Sequence, residues 1–537
     1  QRVRRRQEWA RLLMLLNEEG LRRLAREWEA LPPRAASRDL QDHPYGGDLD
    51  LFGRPALAQL LGPTGTPAAS ATLERWLLEP ANLDDVAARQ HAVRELSPLN
   101  DLRDRMAGHA RRAGTVRPDE LKPFLAWAEE PPLMTGRTAW RIASWLLPVC
   151  TFTLIALDVG DVAPSRLWLL PLLAGAALTF GPAGATIRNT FRRAFAREEM
   201  FRGYPELMKT ITHARFESPL LLRVQTELRA DGVPASEQMR KLQRIMHLAD
   251  LRYSPMLYLP VQLLTLWDFH VMARVDHWRR AAGPRVRRWL DVAGEFEALA
   301  ALAALAHDHP DWEFPEIDAT QRALTAERVG HPMLDPATRV DNDVTVGPSG
   351  TFLLVTGSNM SGKSTLLRAI GLNTVLAFAG APVCAHRFTL PPLILWTSIH
   401  VEDSLVRGVS FFMAQLYRMK AIVSAADAAA AGDRHILYLL DEILQGTNTA
   451  ERRIAATRVI HHLVDRGAIG AVTTHDLELA SESALASAAN PVHFRETVHT
   501  QDGRPIMTFD YLLRPGIATS TNALKLMEIV GLKGPEV

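Results

Sequence analysis

Apolar residues fall at mixed three- and four-residue spacings from Trp9 through Leu12, Leu13, Leu16, Leu21 and Leu24 to Trp28. With Arg and Glu between them, this predicts a helix over residues 7–30 that docks one face on a core, ended by Pro32 and Pro33. From Asp48 to about Asp318 the pattern stays mainly helical, broken by turn-rich stretches at Gly62 to Pro67, Pro131 to Gly136 and Gly232 to Pro234. Beyond His331 and Pro332 the rhythm changes. Short apolar runs at Phe352 to Thr356, Ile436 to Leu440 and Ile469 to Thr473 read as buried strands alternating with helices, the pattern of an α/β domain with a mostly parallel sheet. The expected division is an N-terminal helical segment (1–45), an all-α region (46–328) and an α/β domain (329–537).

Inside the helical region, Ile142 to Leu157 and Leu167 to Thr186 are strongly apolar and are separated by a turn holding Asp158, Gly160, Asp161 and Pro164. The second run reaches the roughly 20 residues that cross a bilayer, and the first does so if Ala139 and Trp140 are counted. Arg137 and Arg141 precede the pair and Arg188, Arg192 and Arg193 follow it, which puts both outer ends on the cytosolic side of a membrane hairpin over 139–186. The C-terminal domain is then cytosolic, at the inner face of the cell membrane. Arg166 in the outer turn argues instead for a buried helical hairpin, and the long uncharged run argues for the membrane. A third apolar stretch, Met256 to Val275, contains Asp268 and His270, which are expensive in lipid, so it reads as one long core helix.

The 61 Lys and Arg against 60 Asp and Glu leave a net charge of +1, so nucleic-acid contact has to come from local patches. Two such clusters are Arg188, Arg192, Arg193, Arg197 and Arg202, and Arg279, Arg280, Arg285, Arg287 and Arg288; solvated helix faces or a collar beside lipid explain both equally well. Cys150 and Cys384 are the only cysteines, with no CxxC pair and no Cys/His cluster at metal-ligand spacing, so neither a disulfide framework nor a zinc site is supported, which fits a reducing cytosol. The chain opens on Gln1 rather than Met, so upstream segments are expected.

The chemistry concentrates after the strand at 352–356. Gly357-Ser-Asn-Met-Ser-Gly-Lys-Ser364 is a GxxxxGKS loop leading into a helix that starts near Ser364. Gly357 and Gly362 allow the backbone of Ser358, Asn359, Met360, Ser361 and Thr365 to turn amide groups toward phosphate oxygens. Lys363 reaches the β- and γ-phosphates, and the Ser364 hydroxyl ligates Mg2+. The strand ending Leu440-Asp441-Glu442 supplies Asp441 behind the metal and Glu442 to polarise the attacking water; His475, at the end of the third strand, can hydrogen-bond the γ-phosphate or the lytic water as a sensor. ATP and Mg2+ are the expected ligands.

Taken in order, these elements resemble the MutS family of DNA mismatch-repair ATPases. The matching residues are Gly330-His-Pro332, Thr356 to Thr365, Asp403 to Met413, Leu440 to Thr449, Thr473-Thr-His475, Tyr511 to Gly516 and Ser520 to Gly531, with Asn359 and Met360 the most particular to that family. Upstream, Asp48-Leu-Asp-Leu-Phe52, Leu73 to Pro80 and Arg89 to Val93 look like the start of its helical core. The resemblance implies a P-loop ATPase domain of ABC type behind a helical core and lever. It also implies a homodimer whose nucleotide sites are completed by the partner through Ser410 and the Thr447-Asn-Thr449 loop.

The chain departs from that pattern at Phe411 and Gln415, where the family has Thr and Glu, and at Leu444 and Gln445. Arg339 or Val340 stands where the family stacks an aromatic ring on adenine, so the base contact is unassigned. Only about 45 residues of this sequence precede the first match, and no mismatch-reading domain is expected among them. The leading expectation is a dimeric ATPase clamp on DNA, related to repair or recombination and tethered to the membrane. A membrane-anchored mechanical or scaffold ATPase without a nucleic-acid role, and a non-hydrolysing ATP switch, are the alternatives.

Overall fold

The computed structural model describes residues 2–114, 118–134, 136–162, 166–195, 203–229, 232–399, 411–430, 432, 434–444, 448–475, 482, 485–501 and 504–517. The chain forms two compact units, each drawn from separated stretches: Gln1–Leu16, Pro63–Leu73 and Leu99–Leu299 in one, Asn17–Gly62, Glu74–Pro98 and Ala300–Val537 in the other.

The first unit is helical. Tyr204–His213 packs between Asn100–Ala113 and Ala235–Ala249, burying Leu207, Met208 and Ile211 against their apolar stripes. Glu297 is a buried carboxylate in this core, and it is satisfied by the Thr66 hydroxyl at 2.7 Å and by the amides of Gly65 and Thr66.

Three expectations for the helical elements change. The N-terminal helix is Arg2–Leu24 with a short 3-10 turn at Trp28–Ala30, and its stripe is only partly docked: Trp9 lies on His109 and Leu16 is buried, whereas Leu21 and Leu24 face solvent. The hairpin consists of Thr138–Val159, Leu169–Phe180 and Pro182–Phe195, the last two bent by 49° at Gly181. It is not buried. The third apolar stretch is not one core helix: Leu266 adopts a left-handed conformation (φ 51°) and divides Pro255–Thr265 from Trp267–Asp308. Phe269, Val271, Met272 and Val275, after the break, are buried, whereas Met256, Leu257 and Leu259, before it, are exposed.

The second unit is mixed α/β. Its main sheet has the order 514–515, 489–493, 352–356, 469–474, 435–441, 393–398, with all neighbours parallel except the two-residue Arg514–Pro515 edge. The central strands are buried on both faces, which is why they read as unbroken apolar runs. On one face lie Phe411–Ala429 and Thr449–Asp465, whose Met419, Ile422, Ile460 and Leu463 close over Phe352, Tyr438 and Val472. Helix Lys363–Ala379 covers the other face and is itself almost wholly buried. Thr356 pairs with Thr474, and Asp441 with Thr473, so three strands end at one level. The loops after them share a crevice at the carboxyl edge of the sheet, the usual ligand position in such folds.

Candidate nucleotide site

Strand Phe352–Thr356 runs straight into the loop. Gly357 has φ 146° and Gly362 φ 106°, values that other residues rarely adopt. A Cβ on Gly357 would lie 2.9 Å from the Ser361 hydroxyl oxygen, and one on Gly362 would lie 3.2 Å from the Tyr511 ring, so the torsions disfavour a side chain and the space around both positions is tight. Met360 also has positive φ (67°) and is exposed at the rim with Asn359. Helix Lys363–Ala379 begins immediately after, and no side chain caps it, which leaves its first amides and the positive end of its dipole directed at the crevice.

Lys363 is buried and donates to the carbonyls of Gly357 (2.9 Å) and Ser358 (2.8 Å) within its own loop. Burial pulls its pKa below the ordinary lysine value, opposed by the charges of Glu442, Asp441 and Glu496. The buried Ser361 hydroxyl has no hydrogen-bond partner among the described residues. An ammonium folded back on loop carbonyls, an orphaned hydroxyl and an uncapped helix start together form an anion cradle.

Thr473 organises the acidic side. Its hydroxyl donates to Asp441 Oδ1 and accepts from the Glu442 amide at 3.1 Å, fixing a backbone turn in which Glu442 has φ 48°. His475 Nδ1 lies 3.7 Å from Glu442 Oε2. A cleft of about 660 Å3 is lined by Asn359, Met360, Gly362, Lys363, Ser364, Thr365 and Glu442, so these expected site residues meet at one place. Among the described residues, no three His, Cys, Asp or Glu groups converge as a metal cage. Mg2+ keeps several waters and takes one or two protein ligands beside phosphate, and the Ser364 hydroxyl and Asp441 carboxylate are donors of the kind it takes. Ser410 lies outside the described residues, as do Asp403 to Val409, Gln445 to Thr447 and Ser520 to Gly531.

The far wall of the cleft holds residues to which the sequence assigned no role. Tyr511 and Phe494 face the loop, and Asn342 holds this segment by donating to Tyr511 O (3.0 Å) and accepting from the Leu513 amide (2.7 Å). Glu496 accepts from the Ser358 hydroxyl at 3.1 Å. Arg339 turns its guanidinium to Asp341 at 2.6 Å. His331, half-buried in the same wall, has its pKa pushed down to about 4 by desolvation and by Arg368 and Arg339. The one signal for Tyr511 and Thr473 was their place in family-like runs, since neither a lone tyrosine nor a strand threonine marks a site.

Residues 353–536 match the family model MutS domain V. The DNA mismatch repair protein MutS of Natronomonas pharaonis is 30% identical over 256 residues, 47% of this chain and 28% of that protein. Proteins of the same name from Cereibacter sphaeroides (33% over 248 residues) and Geobacillus thermodenitrificans (31% over 256 residues) match 44% and 46% of this chain, each over 27% of its own length. The matched stretch thus takes in less than a third of these relatives. It is the C-terminal part of the chain that is similar to the MutS family, through the match to MutS domain V and to these mismatch repair proteins.

Proposed function

We propose that the chain is a Mg2+-dependent ATPase, and the observation that carries this reading is the buried, inward-folded Lys363 facing Glu442 across a cleft rimmed by Ser364 and Asn359. On ATP binding, Lys363 exchanges the Gly357 and Ser358 carbonyls for β- and γ-phosphate oxygens, and the loop amides of 358–365 take the remaining ones. Ser364 and Asp441 would hold Mg2+, which when bound neutralises phosphate charge. Glu442 orients the attacking water and accepts its proton, with His475 beside it, and Tyr511 supplies the ring against the base that Arg339 does not.

From the family resemblance we further propose a homodimer in which Ser410 completes the partner's site, acting on DNA in repair or recombination with the hairpin at 139–186 as tether. Steady-state ATPase of the wild type beside Glu442→Gln tests the chemistry. The variant should retain ATP binding and lose at least about 100-fold in kcat. An inactive wild type leaves the non-hydrolysing switch, and an unaffected variant removes Glu442 as the base.

One observation favours a membrane-anchored mechanical ATPase without nucleic-acid contact. In the second arginine cluster, Arg287 pairs with Glu129, Arg288 with Glu227 and buried Arg279 with Asp276, which leaves little charge for phosphates. Duplex binding over a salt series separates the readings, because a DNA clamp weakens steeply with salt and the scaffold shows negligible affinity even at low salt.

A further inference from the structure

Helices of a water-soluble unit bury large apolar residues and expose polar ones; the hairpin does the reverse. In Thr138–Val159 the buried residues are Ser144 and Thr151, and in Leu169–Phe180 they are Gly175 and Thr179. Trp145 (66% exposed), Val149, Phe152 and Leu173 (62%) point outward. Ser144 and Thr151 donate to carbonyls of the preceding turn, Arg141 O at 2.9 Å and Leu147 O at 2.8 Å, so both buried hydroxyls of the first helix have an acceptor within that helix. Small and hydroxyl residues at the seam with bulky apolar residues outside are the arrangement of helices packed in lipid.

Helix Pro255–Thr265 continues that surface. It has no charged residue, packs on both hairpin helices, and exposes Met256 (89%), Leu257 and Leu259. Gln262 locks it in place: Nε2 donates to the Thr179 hydroxyl at 3.1 Å, and Oε1 accepts from the Asp268 amide at 2.9 Å. The charge that argued against lipid lies beyond the Leu266 break and is neutralised, since Asp268 accepts from Arg252 (2.8 Å) and from the Tyr258 hydroxyl (2.6 Å). At about 1.5 Å per residue, eleven residues reach roughly half of a 30 Å hydrocarbon core.

We propose that Pro255–Thr265 enters the phospholipid bilayer beside the hairpin as a half-length helix, so that the membrane unit is built from two separated chain segments. This rests on the hairpin being the membrane anchor. The arginines at 137, 141 and 188 that frame the apolar surface favour a bilayer with anionic headgroups as its occupant.

The test places one accessible cysteine at a time, at Met256→Cys, Phe152→Cys and the exposed control Arg387→Cys, in the full chain carrying Cys150→Ala, where the remaining Cys384 is buried away from the dye. An environment-sensitive dye is attached, and the protein is reconstituted in phosphatidylethanolamine and phosphatidylglycerol vesicles. Iodide quenching at both Met256→Cys and Phe152→Cys should fall about fivefold or more below the control. Protection at Phe152→Cys with free quenching at Met256→Cys overturns the proposal and leaves the anchor standing. Free quenching at both overturns the two together. Equal protection without vesicles overturns it in favour of a second copy of the chain covering this surface.

Discussion

At the scale of single residues, the hydroxyl of Thr473 holds the Asp441 carboxylate and the Glu442 amide at once, so it positions the acidic pair without facing the cleft. Thr473→Val keeps the shape and removes the link. Its kcat for ATP should fall about tenfold with ATP affinity within about twofold, a split that a general loss of folding would not give. Tyr511→Ala should do the opposite, raising KM for ATP about fivefold with kcat little changed, because an aromatic contact of about 1 kcal/mol with the base is made equally in ground and transition states. Burial, helped by Arg26, also holds His309 at about 4, the same value as His331. Both folded pKa values lie below the unfolded value near 6.5. The unfolded chain therefore takes up protons first on acidification, and stability is full above about pH 6.5 and lost as pH falls toward 4, by about 3 kcal/mol for each histidine. Urea midpoints between pH 7 and 4.5 without nucleotide read this loss, and His309→Gln should roughly halve the slope.

At the scale of elements, legibility follows burial. Strand Phe352–Thr356 matches its apolar run residue for residue, and 435–441 and 469–474 extend theirs by one or two, because a strand covered on both faces admits no polar interruption. The break at Leu266 was invisible, since a leucine in the left-handed region carries no glycine or proline signal and Pro260 sits inside the helix instead. The loop was readable because its glycines have one physical use. The wall formed by Phe494 and Tyr511 was not, because its position depends on a long-range bond from Asn342. Sheet packing also sets constraints that no pattern announces. A Cβ on Gly470 would come within 2.3 Å of the buried Tyr438 ring. Gly470→Ala should destabilise the sheet by about 1–3 kcal/mol through overpacking, and the paired Gly470→Ala, Tyr438→Leu should recover much of it in a urea titration.

At the scale of the whole molecule, the compact unit that contains the main sheet also draws in Asn17–Gly62 and Glu74–Pro98. The connection is chemical as well as spatial. Arg418 donates to the carbonyls of His43 (2.9 Å), Pro44 (2.7 Å) and Thr397 (2.8 Å), and the Asp48 carboxylate accepts from the Thr397 hydroxyl at 2.6 Å. Leu49 packs against Gly371 on the central helix, where a Cβ would meet its methyl groups at about 3 Å. A fragment of residues 329–537 leaves the half-buried Arg418 without two carbonyls and without the Asp48 charge that offsets its desolvation, and it uncovers the face of the central helix that Leu49 closes. That fragment should lack a cooperative thermal transition and bind a hydrophobic dye, whereas adding residues 17–98 through a flexible linker to residue 300 should restore the transition. A sharp, two-state melt of 329–537 alone would show that the sheet does not need the upstream segment. It would also make the contacts of Asp48 and Leu49 a docking surface rather than part of the core.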